Sequence, residues 1–393
     1  MDLGLYLDVT ISVYLKCPNP LKISYLKNIM TPSRKLWKLL FVSTPVGALG
    51  TGLGGGVELT LYNVAQQMLH RGHKLQIVAP VGSIWKDIPI IQIPGNLQTI
   101  AQSQKRADGI VMADNSTLAN MWDYVREIEC DYNLIVNFAY DWLPFYLTPF
   151  FKKPIAHLVS MSSLSNAIDE VIEKVGKNFP HALGFHSSYQ AETFSGSIQP
   201  LHILSNGIDI ALYDFCPQPK KQLAWIGRIS PEKGLEDAVA LSRKMNIPLK
   251  IMGKLQDKYY WQKICRDYPH APVEYLGFLS TKEMQKIVRE CSALLMTHRW
   301  VEAFGNVAIE ALACGVPIVS YRRGGPKEIV QDGKTGFLVT PDSITDLVDA
   351  VSRLGEINRY QCRQQAEMEF SLEALGNRFE KWFETILALE IKI

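Results

Sequence analysis

The chain has 393 residues, of which 47% are hydrophobic and 20% charged, and 41 Lys and Arg residues against 39 Asp and Glu residues give a formal charge of +2. This length favours two or three domains. The charge is balanced and lacks the basic excess typical of nucleic-acid-binding proteins, so we expect no nucleic acid as a partner. No apolar run reaches the roughly 18 residues of a membrane-spanning helix, so we expect no transmembrane segment. The seven cysteines are scattered without a CxxC pair, which favours a reducing cytoplasm over a disulfide framework or a cysteine-rich zinc site.

Residues 1–36 precede the first predicted strand. They lack the basic start and the cleavage site of a signal peptide. Basic and apolar residues then mix, as in an interfacial helix that touches anionic lipid, but the apolar positions form no sustained stripe. We therefore interpret residues 1–36 as an N-terminal extension that is poorly ordered, or as a start placed too early with Met30 as the real beginning, and we do not expect it to bind a membrane.

Short apolar runs alternate with amphipathic stretches from Trp37 to residue 204, which predicts parallel βαβ units in a doubly wound sheet. The predicted strands are Lys38–Ser43, Leu75–Ala79, Leu134–Phe138, Ile155–Val159, Leu183–His186 and Leu201–Leu204, and the predicted helices are Val57–Arg71, Leu118–Glu129 and Leu164–Lys174.

The same alternation then begins again, after a turn-rich segment at Ser205 to Asp209. The predicted strands are Gln222–Gly227, Leu249–Met252, Val273–Leu276, Ala293–Thr297 and Pro317–Ser320, and the predicted helices are Leu235–Met245, Thr281–Arg289, Ala303–Ala313 and Ile344–Leu354. We therefore predict one domain over residues 37–205, a second over 206–370, and a helix within 371–393 that crosses back to the first domain. Ligands of open α/β sheets bind beyond the carboxyl ends of the strands, so the active site should lie in the cleft between the domains.

A glycine-rich segment separates the first strand from the first helix. Gly50-Thr51-Gly52-Leu53-Gly54-Gly55 satisfies GxGxxG, a pattern of dinucleotide-binding loops. Six residues lie between the strand and Gly50, however, and no acidic residue follows the second strand, so a nicotinamide cofactor is disfavoured. The glycines are typical of a loop whose N–H groups receive a phosphate or a sugar, and a merely structural turn is the alternative.

Two cations lie in the segment Gly227 to Gly234, which follows a predicted strand and opens a helix. Arg228 and Lys233 are five residues apart, so both can converge at the end of the strand. The chain contains no Asp-x-Asp pair, and we expect no metal ion. A cationic clamp would then stabilise a leaving diphosphate; a solvated loop with two unrelated surface cations is the alternative.

Two glutamates lie in the next motif, where Glu310 follows Glu302 by eight residues. On a helix this spacing is a little over two turns, so both carboxylates can face the same cleft. One can hold sugar hydroxyls beside the free N–H groups of a helix N-terminus, and the other can bind a ribose diol. The alternative is a solvated helix face, which the small and apolar flanking residues disfavour.

These motifs, in this order, resemble the retaining GT-B glycosyltransferases of family GT4, whose E-x7-E motif matches Glu302 to Glu310. The resemblance covers nearly all of residues 37–390 and includes Asn206 to Asp209 at the domain junction. It implies an α/β, GT-B fold with two Rossmann-like doubly wound parallel-sheet domains facing across a cleft. It also implies the transfer of a hexose from a nucleotide sugar without a metal ion or another cofactor.

The resemblance implies a role for each matching residue. Arg228 and Lys233 would bind the diphosphate, Glu302 would contact the transferred sugar, and Glu310 would hold the ribose. His157 matches a histidine near the sugar; a lone histidine at a strand end is otherwise more often structural, but the expected placement of His157 beside the cleft favours the functional role. The catalytic residues implied are Glu302, His157, Arg228 and Lys233, and the donor-binding residues are Gly55, Gly56, Arg228, Lys233, Phe278, Phe304, Gly305, Asn306 and Glu310.

Three further segments, Thr44 to Gly47, Gly54 to Leu61 and Asn137 to Pro144, look like those of the UDP-glucose:tetrahydrobiopterin glucosyltransferases. That similarity implies UDP-glucose as donor, the side chain of tetrahydrobiopterin or a related pterin as acceptor, and an α-glucoside as product. Tyr140, Asp141 and Trp142 would bind the acceptor, with ordinary core as the alternative for this stretch. Another acceptor (a lipid, a sugar or a metabolite), a nucleotide-sugar epimerase and a non-catalytic binding protein remain alternatives, and the oligomeric state is open.

Overall fold

The computed structural model of the protein describes residues 35–51, 55–101, 105–196 and 198–390. Residues 1–34 of the predicted N-terminal extension, with the interfacial helix and the early start considered for them, lie outside the described residues. Gly52 and Gly54 of the glycine-rich segment also lie outside them.

The first sheet has seven strands, all parallel, in the order β3-β2-β1-β4-β5-β6-β7. Its strands are β1 (Lys38–Val42), β2 (Lys74–Pro80), β3 (Ile90–Ile93), β4 (Leu134–Asn137), β5 (Ile155–Val159), β6 (Leu183–Phe185) and β7 (His202–Ile203). The helices that follow along this half of the chain are α1 (Gly55–His70), α2 (Thr117–Ile128), α3 (Trp142–Leu147), α4 (Asn166–Asn178) and α5 (Ser188–Ala191).

Both faces of this sheet are covered, as a parallel sheet requires. In β1, Leu39 and Phe41 lie in a buried cluster with residues of α1, whereas Leu40 and Val42 lie in a second cluster with residues of α2. Successive apolar residues of one strand therefore serve opposite faces, which explains why the sequence shows an unbroken apolar run rather than alternation.

The second sheet repeats the strand order with six strands, β10-β9-β8-β11-β12-β13, again all parallel. The strands are β8 (Leu223–Ile226), β9 (Leu249–Met252), β10 (Val273–Tyr275), β11 (Ala293–Met296), β12 (Ile318–Tyr321) and β13 (Gly336–Val339). The helices are α6 (Leu235–Met245), α7 (Lys258–Asp267), α8 (Thr281–Val288), α9 (Asn306–Ala313), α10 (Pro326–Ile329), α11 (Ile344–Ser352), α12 (Arg359–Glu369) and α13 (Leu372–Glu390).

The last helix belongs to the core of the first sheet. Leu375, Phe379 and Phe383 of α13 are buried with Leu39 and Phe41 of β1, whereas α12 contributes to the core of the second sheet. The chain crosses between the sheets at two places that touch each other, because the amide of Ile208 donates to the oxygen of Phe370 at 2.8 Å.

The prediction of two doubly wound parallel sheets is confirmed, and every predicted strand is present with ends within one residue. Two short edge strands, β3 and β13, escaped prediction: β3 lies between Pro89 and Pro94, and β13 follows directly on a glycine-containing turn. The helices α3, α5, α7, α10 and α12 were also missed. In α7 only Ile264 is buried, so the apolar periodicity that marks a helix is absent.

Candidate active site

The two loops that carry the predicted donor residues leave neighbouring strands. β8 pairs with β11, at the point where the strand order of the second sheet reverses, and ligands of such sheets bind at this point. Gly234 lies in the left-handed region (φ +63), and a Cβ there would lie 2.0 Å from the oxygen of Thr297. Glycine therefore allows the loop after β8 to lie directly against the loop after β11.

This close approach brings Lys233 onto Glu302. The Nζ atom of Lys233 donates to Oε2 of Glu302 at 2.5 Å and lies 4.6 Å from the centre of the Trp300 ring. Trp300 also donates its Nε1–H to the same carboxylate oxygen at 3.1 Å. Burial alone would raise the pKa of Glu302, but the charge of Lys233, then His298 and these two hydrogen bonds outweigh it and the pKa is lowered.

Glu302 was predicted at the N-terminus of a helix beginning at Ala303, and this boundary is wrong. Helix α9 begins at Asn306, after Gly305 in a left-handed conformation (φ 102). Glu302 lies in the preceding loop, where its backbone carbonyl oxygen accepts a hydrogen bond from the amide of Gly325 at 2.7 Å. The two carboxylates thus reach one cavity through a loop and a helix, not through helical spacing.

Glu310 is buried on α9 and has a neutral partner. The hydroxyl of Tyr213 donates to its Oε1 at 3.0 Å. Burial raises the pKa of Glu310 to about 7, with the Tyr213 hydrogen bond acting in the opposite direction. This carboxyl group can therefore accept hydrogen bonds from a diol when ionised, and it is protonated more readily than Glu302.

Arg228 and Phe278 are two further predicted residues of the second domain that line the cavity. Arg228 donates from Nη1 to Oε1 of Gln256 at 3.1 Å and pairs with Glu232 at 3.5 Å. Phe278 is exposed over 80% of its surface and lines the mouth of the cavity. An exposed aromatic ring at a cavity mouth can stack on a planar base.

The first domain contributes the start of α1. A Cβ on Gly56 would lie 3.0 Å from Nδ2 of Asn306, so glycine lets the two helix N-termini approach closely. Hydrogen-bonded side chains connect the two domains at the same place: Thr60 donates to Asn206 at 3.1 Å, and Asn206 donates to Asn306 at 2.7 Å. The junction segment and both domains therefore meet at the floor of the cleft.

These groups surround one cavity of about 1010 Å³ between the two sheets. Of the predicted site residues, the cavity is lined by Gly55, Gly56, Arg228, Lys233, Phe278, Glu302, Gly305, Asn306 and Glu310. Phe304 does not line it; its side chain is buried in the core of the second domain.

His157 lies inside the first domain and not beside the cleft, contrary to its predicted placement. β5 is an interior strand, and the His157 ring is fully buried and stacked on Phe145 at 4.6 Å. Asn137 and Thr148 occupy its two ring nitrogens at 3.2 and 2.9 Å, and burial lowers the pKa to about 3. We therefore assign His157 a structural role.

The predicted acceptor residues Tyr140, Asp141 and Trp142 also do not line this cavity. The Tyr140 hydroxyl accepts from the amide of Leu164 at 3.1 Å, Asp141 caps α3, and Trp142 stacks on Tyr146 at 4.3 Å. Burial raises the pKa of Asp141. These side chains are held by the packing of the first domain, and their role in acceptor binding stays a prediction.

Several residues that line the cavity were not predicted from the sequence, among them the ionisable residues Glu58 and His298. Glu58 accepts a hydrogen bond from the amide of Gly50 at 2.5 Å, and His298 is the second residue after β11. A histidine one position beyond a predicted strand, four residues before a site glutamate, was a visible signal.

Among the described residues, no group of three or more His, Cys, Asp or Glu side chains is arranged to hold a metal ion, and no helix is long and apolar enough to span a membrane.

Part of the chain matches a known family. Residues 216–368 match the model of the family Glycosyl transferases group 1. An uncharacterized glycosyltransferase of Methanocaldococcus jannaschii is 31% identical over 161 residues, 40% of this chain and 43% of that protein. The glycogen synthase of Mycobacterium tuberculosis is 28% identical over 170 residues, 41% of each chain. The matches thus span less than half the length of these curated relatives.

Solved structures share the architecture over most of the chain. The Anabaena protein HepE, in complex with UDP and glucose, gives a TM-score of 0.71 at 18% identity and covers 89% of this chain and 100% of that one. The sucrose-phosphate synthase of Thermosynechococcus elongatus gives 0.72 at 16% identity, over 90% and 99%. The fold is GT-B.

Proposed function

We propose that the protein is a retaining glycosyltransferase that moves glucose from UDP-glucose to a hydroxyl group of a small molecule, giving an α-glucoside, without a metal ion. The observation that carries this proposal is the pairing of Lys233 with Glu302 at the strand-order reversal of the second sheet, with Arg228 and Glu310 in the same cavity wall. The solved structure of the Anabaena protein HepE in complex with UDP and glucose supports a nucleotide sugar as the ligand.

The proposed chemistry uses cations in place of a metal. The diphosphate lies against Lys233 and Arg228, which stabilise the negative charge that develops as the sugar leaves. The acceptor oxygen forms a bond to the anomeric carbon on the face that the diphosphate leaves, and the bond from that carbon to the phosphate oxygen breaks. The acceptor proton passes to the departing phosphate, so the products are an α-glucoside and UDP.

The substrate-side groups then have distinct tasks. Glu302, kept ionised by Lys233, accepts hydrogen bonds from sugar hydroxyls, and Glu310 accepts them from the ribose. The exposed ring of Phe278 stacks on the base at the cavity mouth. None of these carboxylates needs to act as a nucleophile in this scheme.

For the acceptor we propose the side-chain hydroxyl of tetrahydrobiopterin or a related pterin. Support comes from the likeness of Thr44 to Gly47, Gly54 to Leu61 and Asn137 to Pro144 to the pterin glucosyltransferases. A different acceptor, such as a sugar or a lipid, is the second candidate, because Tyr140, Asp141 and Trp142 are engaged in packing outside the cavity. On the cysteine pattern of the sequence, we place the reaction in the cytoplasm.

The experiment has two stages. Thermal shifts with UDP-glucose, UDP and NAD identify the ligand class: stabilisation by UDP and UDP-glucose is expected, and stabilisation by NAD alone would contradict the proposal. The protein is then incubated with UDP-glucose and reduced pterin, and the product is read by mass for one added hexose and by NMR for the anomeric configuration. A β-linked product would exclude retention, and free UDP without an acceptor would favour an epimerase.

A further inference from the structure

His298 is a buried histidine of the cavity wall that the proposed reaction does not yet use. It is the second residue after β11, in the same loop as Glu302, and only 3% of its surface is exposed. It lines the cavity together with Lys233 and Glu302. A histidine in this position is close enough for the charges of Glu302 and Lys233 to act on its ionisation.

The ring of His298 is held in one tautomer. Its Nε2 lies 2.8 Å from the backbone oxygen of Arg323, and since a carbonyl oxygen only accepts, Nε2 carries the proton and donates it. Arg323 in turn donates from Nη1 to the backbone oxygen of His298 at 3.0 Å and from Nη2 to Asp342 at 2.9 Å. These contacts fix the ring and leave a lone pair on Nδ1.

That lone pair has no protein partner. Nδ1 of His298 is buried and makes no hydrogen bond within residues 35–51, 55–101, 105–196 and 198–390. Buried polar atoms are nearly always paired, so an unpaired one in a cavity wall calls for a partner from outside the chain. Burial lowers the pKa of His298, against the opposing effects of Glu302 and the Arg323 carbonyl, so the ring is neutral near pH 7 and Nδ1 can only accept.

We propose that Nδ1 of His298 accepts a hydrogen bond from one hydroxyl group of the sugar in the donor. The inference rests on the proposed function, since it requires a nucleotide sugar in this cavity. Glu302 in the same loop is already engaged by Lys233 and Trp300, whereas Nδ1 is an unengaged, neutral acceptor at a fixed position. His298 is thus a specificity-determining residue: a donor that lacks this hydroxyl, or presents it in the opposite configuration, leaves Nδ1 unpaired.

Two substitutions separate the role of Nδ1 as a hydrogen-bond acceptor from the role of Nε2, which anchors the ring to the backbone oxygen of Arg323. In His298→Gln the terminal amide can still donate to the oxygen of Arg323, but no acceptor remains where Nδ1 was. In His298→Asn the shorter side chain can supply an oxygen near the Nδ1 position without reaching Arg323. The donors are UDP-glucose and its 2-, 3-, 4- and 6-deoxy analogues, and the readouts are kcat/KM for each donor and the Kd of UDP.

We expect the substitutions to change how the protein uses the sugar of the donor and to leave the binding of UDP unchanged. His298→Gln should lower kcat/KM for UDP-glucose by about tenfold, the size expected when one neutral hydrogen bond to a buried group is lost. The same loss is expected with three of the deoxy donors and none with the fourth, which the wild-type protein already uses poorly. His298→Asn should retain more of the preference for that hydroxyl than His298→Gln, and the Kd of UDP should not change in either variant.

Two kinds of failure can be told apart. Equal losses with all five donors, or no loss with any, would overturn the assignment of Nδ1 as a sugar acceptor. A preference lost in His298→Asn and kept in His298→Gln would assign the effect to the anchor on Arg323 instead. A wild-type protein that binds neither UDP nor UDP-glucose would overturn the proposed function itself.

Discussion

At the residue scale, burial acts on two glutamates of one cavity with opposite outcomes. Glu302 is buried beside a cation, and the charge of Lys233 offsets the cost of burial so that its pKa falls. Glu310 is buried beside the neutral hydroxyl of Tyr213, and its pKa rises to about 7. An opposite charge favours the ionised form far more than a neutral donor does, so the partner of each carboxylate decides its charge.

Loss of Lys233 should therefore act twice. Lys233→Met removes the cation that stabilises a leaving diphosphate and leaves the Glu302 carboxylate with Trp300 as its hydrogen-bond donor. We expect turnover to fall by at least about 10²-fold, as when a charge-stabilising donor is removed, and likewise for Arg228→Ala. Steady-state kinetics with UDP-glucose measure this, and Lys258→Met, an exposed residue of α7 outside the cavity, is the matched control. Near-normal turnover would remove the cation from the mechanism.

The raised pKa of Glu310 predicts a pH-dependent contribution to stability. The folded state keeps the proton up to about pH 7, whereas the unfolded chain releases it near its ordinary value of 4.5. Between these values the folded state binds more protons, so stability falls as pH rises through this window. The shift corresponds to a loss on the order of 3 kcal/mol, to be measured by urea denaturation.

The test compares the wild type with Glu310→Gln, because other titrating groups cancel in the difference. The variant should gain stability relative to the wild type as the pH rises from about 5 to about 8. A difference that does not change with pH would contradict the buried, protonatable state of Glu310. Tyr213→Phe, which removes the hydroxyl donor, should raise the folded-state pKa of Glu310 further and so extend the upper end of the window to higher pH.

At the element scale, the contact of the loop after β8 with the loop after β11 depends on Gly234. Gly234→Ala places a Cβ 2.0 Å from the oxygen of Thr297, whereas Gly333→Ala, with a similar φ of +75, meets no atom within 4 Å. Both substitutions carry the cost of a left-handed residue, about 1–2 kcal/mol. Only Gly234→Ala must also push the two loops apart.

We therefore expect Gly234→Ala to lose at least about 2 kcal/mol more stability than Gly333→Ala, in line with other overpacked sites. It should also lose most of the turnover, because Lys233 and Glu302 lie on the separated loops. Urea denaturation and kinetics of both variants measure these effects. Equal destabilisation of the two variants would show that the loops tolerate separation.

The sequence predicts elements and local motifs well for a physical reason. Strands buried on both faces appear as unbroken apolar runs, and the two cations and two glutamates each lie within one short segment. The sequence does not show how deeply a side chain is buried or which distant residues it contacts. The burial of His157 follows from the interior position of β5, and the Tyr213 partner of Glu310 is 97 residues away in the chain. The edge strand β3 is too short, between two prolines, to stand out from a loop.

At the scale of the whole molecule, the first domain is not a continuous piece of chain, whereas the second domain is. The first sheet depends on α13, which arrives after the second sheet is complete and buries Phe379, Trp382 and Phe383 against it. The second sheet has its own hydrophobic cluster, which contains no residue of α13. The cleft is thus bounded by two separate cores that are joined at Ile208 and Phe370.

This arrangement predicts which of the two sheets a core mutation destabilises. Phe383 is fully buried, with its ring 6.4 Å from that of Phe41 in β1, and Phe383→Ala should cost about 3–5 kcal/mol. Because the two cores share no side chain of α13, the loss should fall on the first sheet. Hydrogen exchange should show reduced protection in β1 and β4 and unchanged protection in β8 and β11, with Lys381→Ala on the exposed face of α13 as control. A uniform loss across both sheets would mean that the junction at Ile208 couples the domains into one unfolding unit.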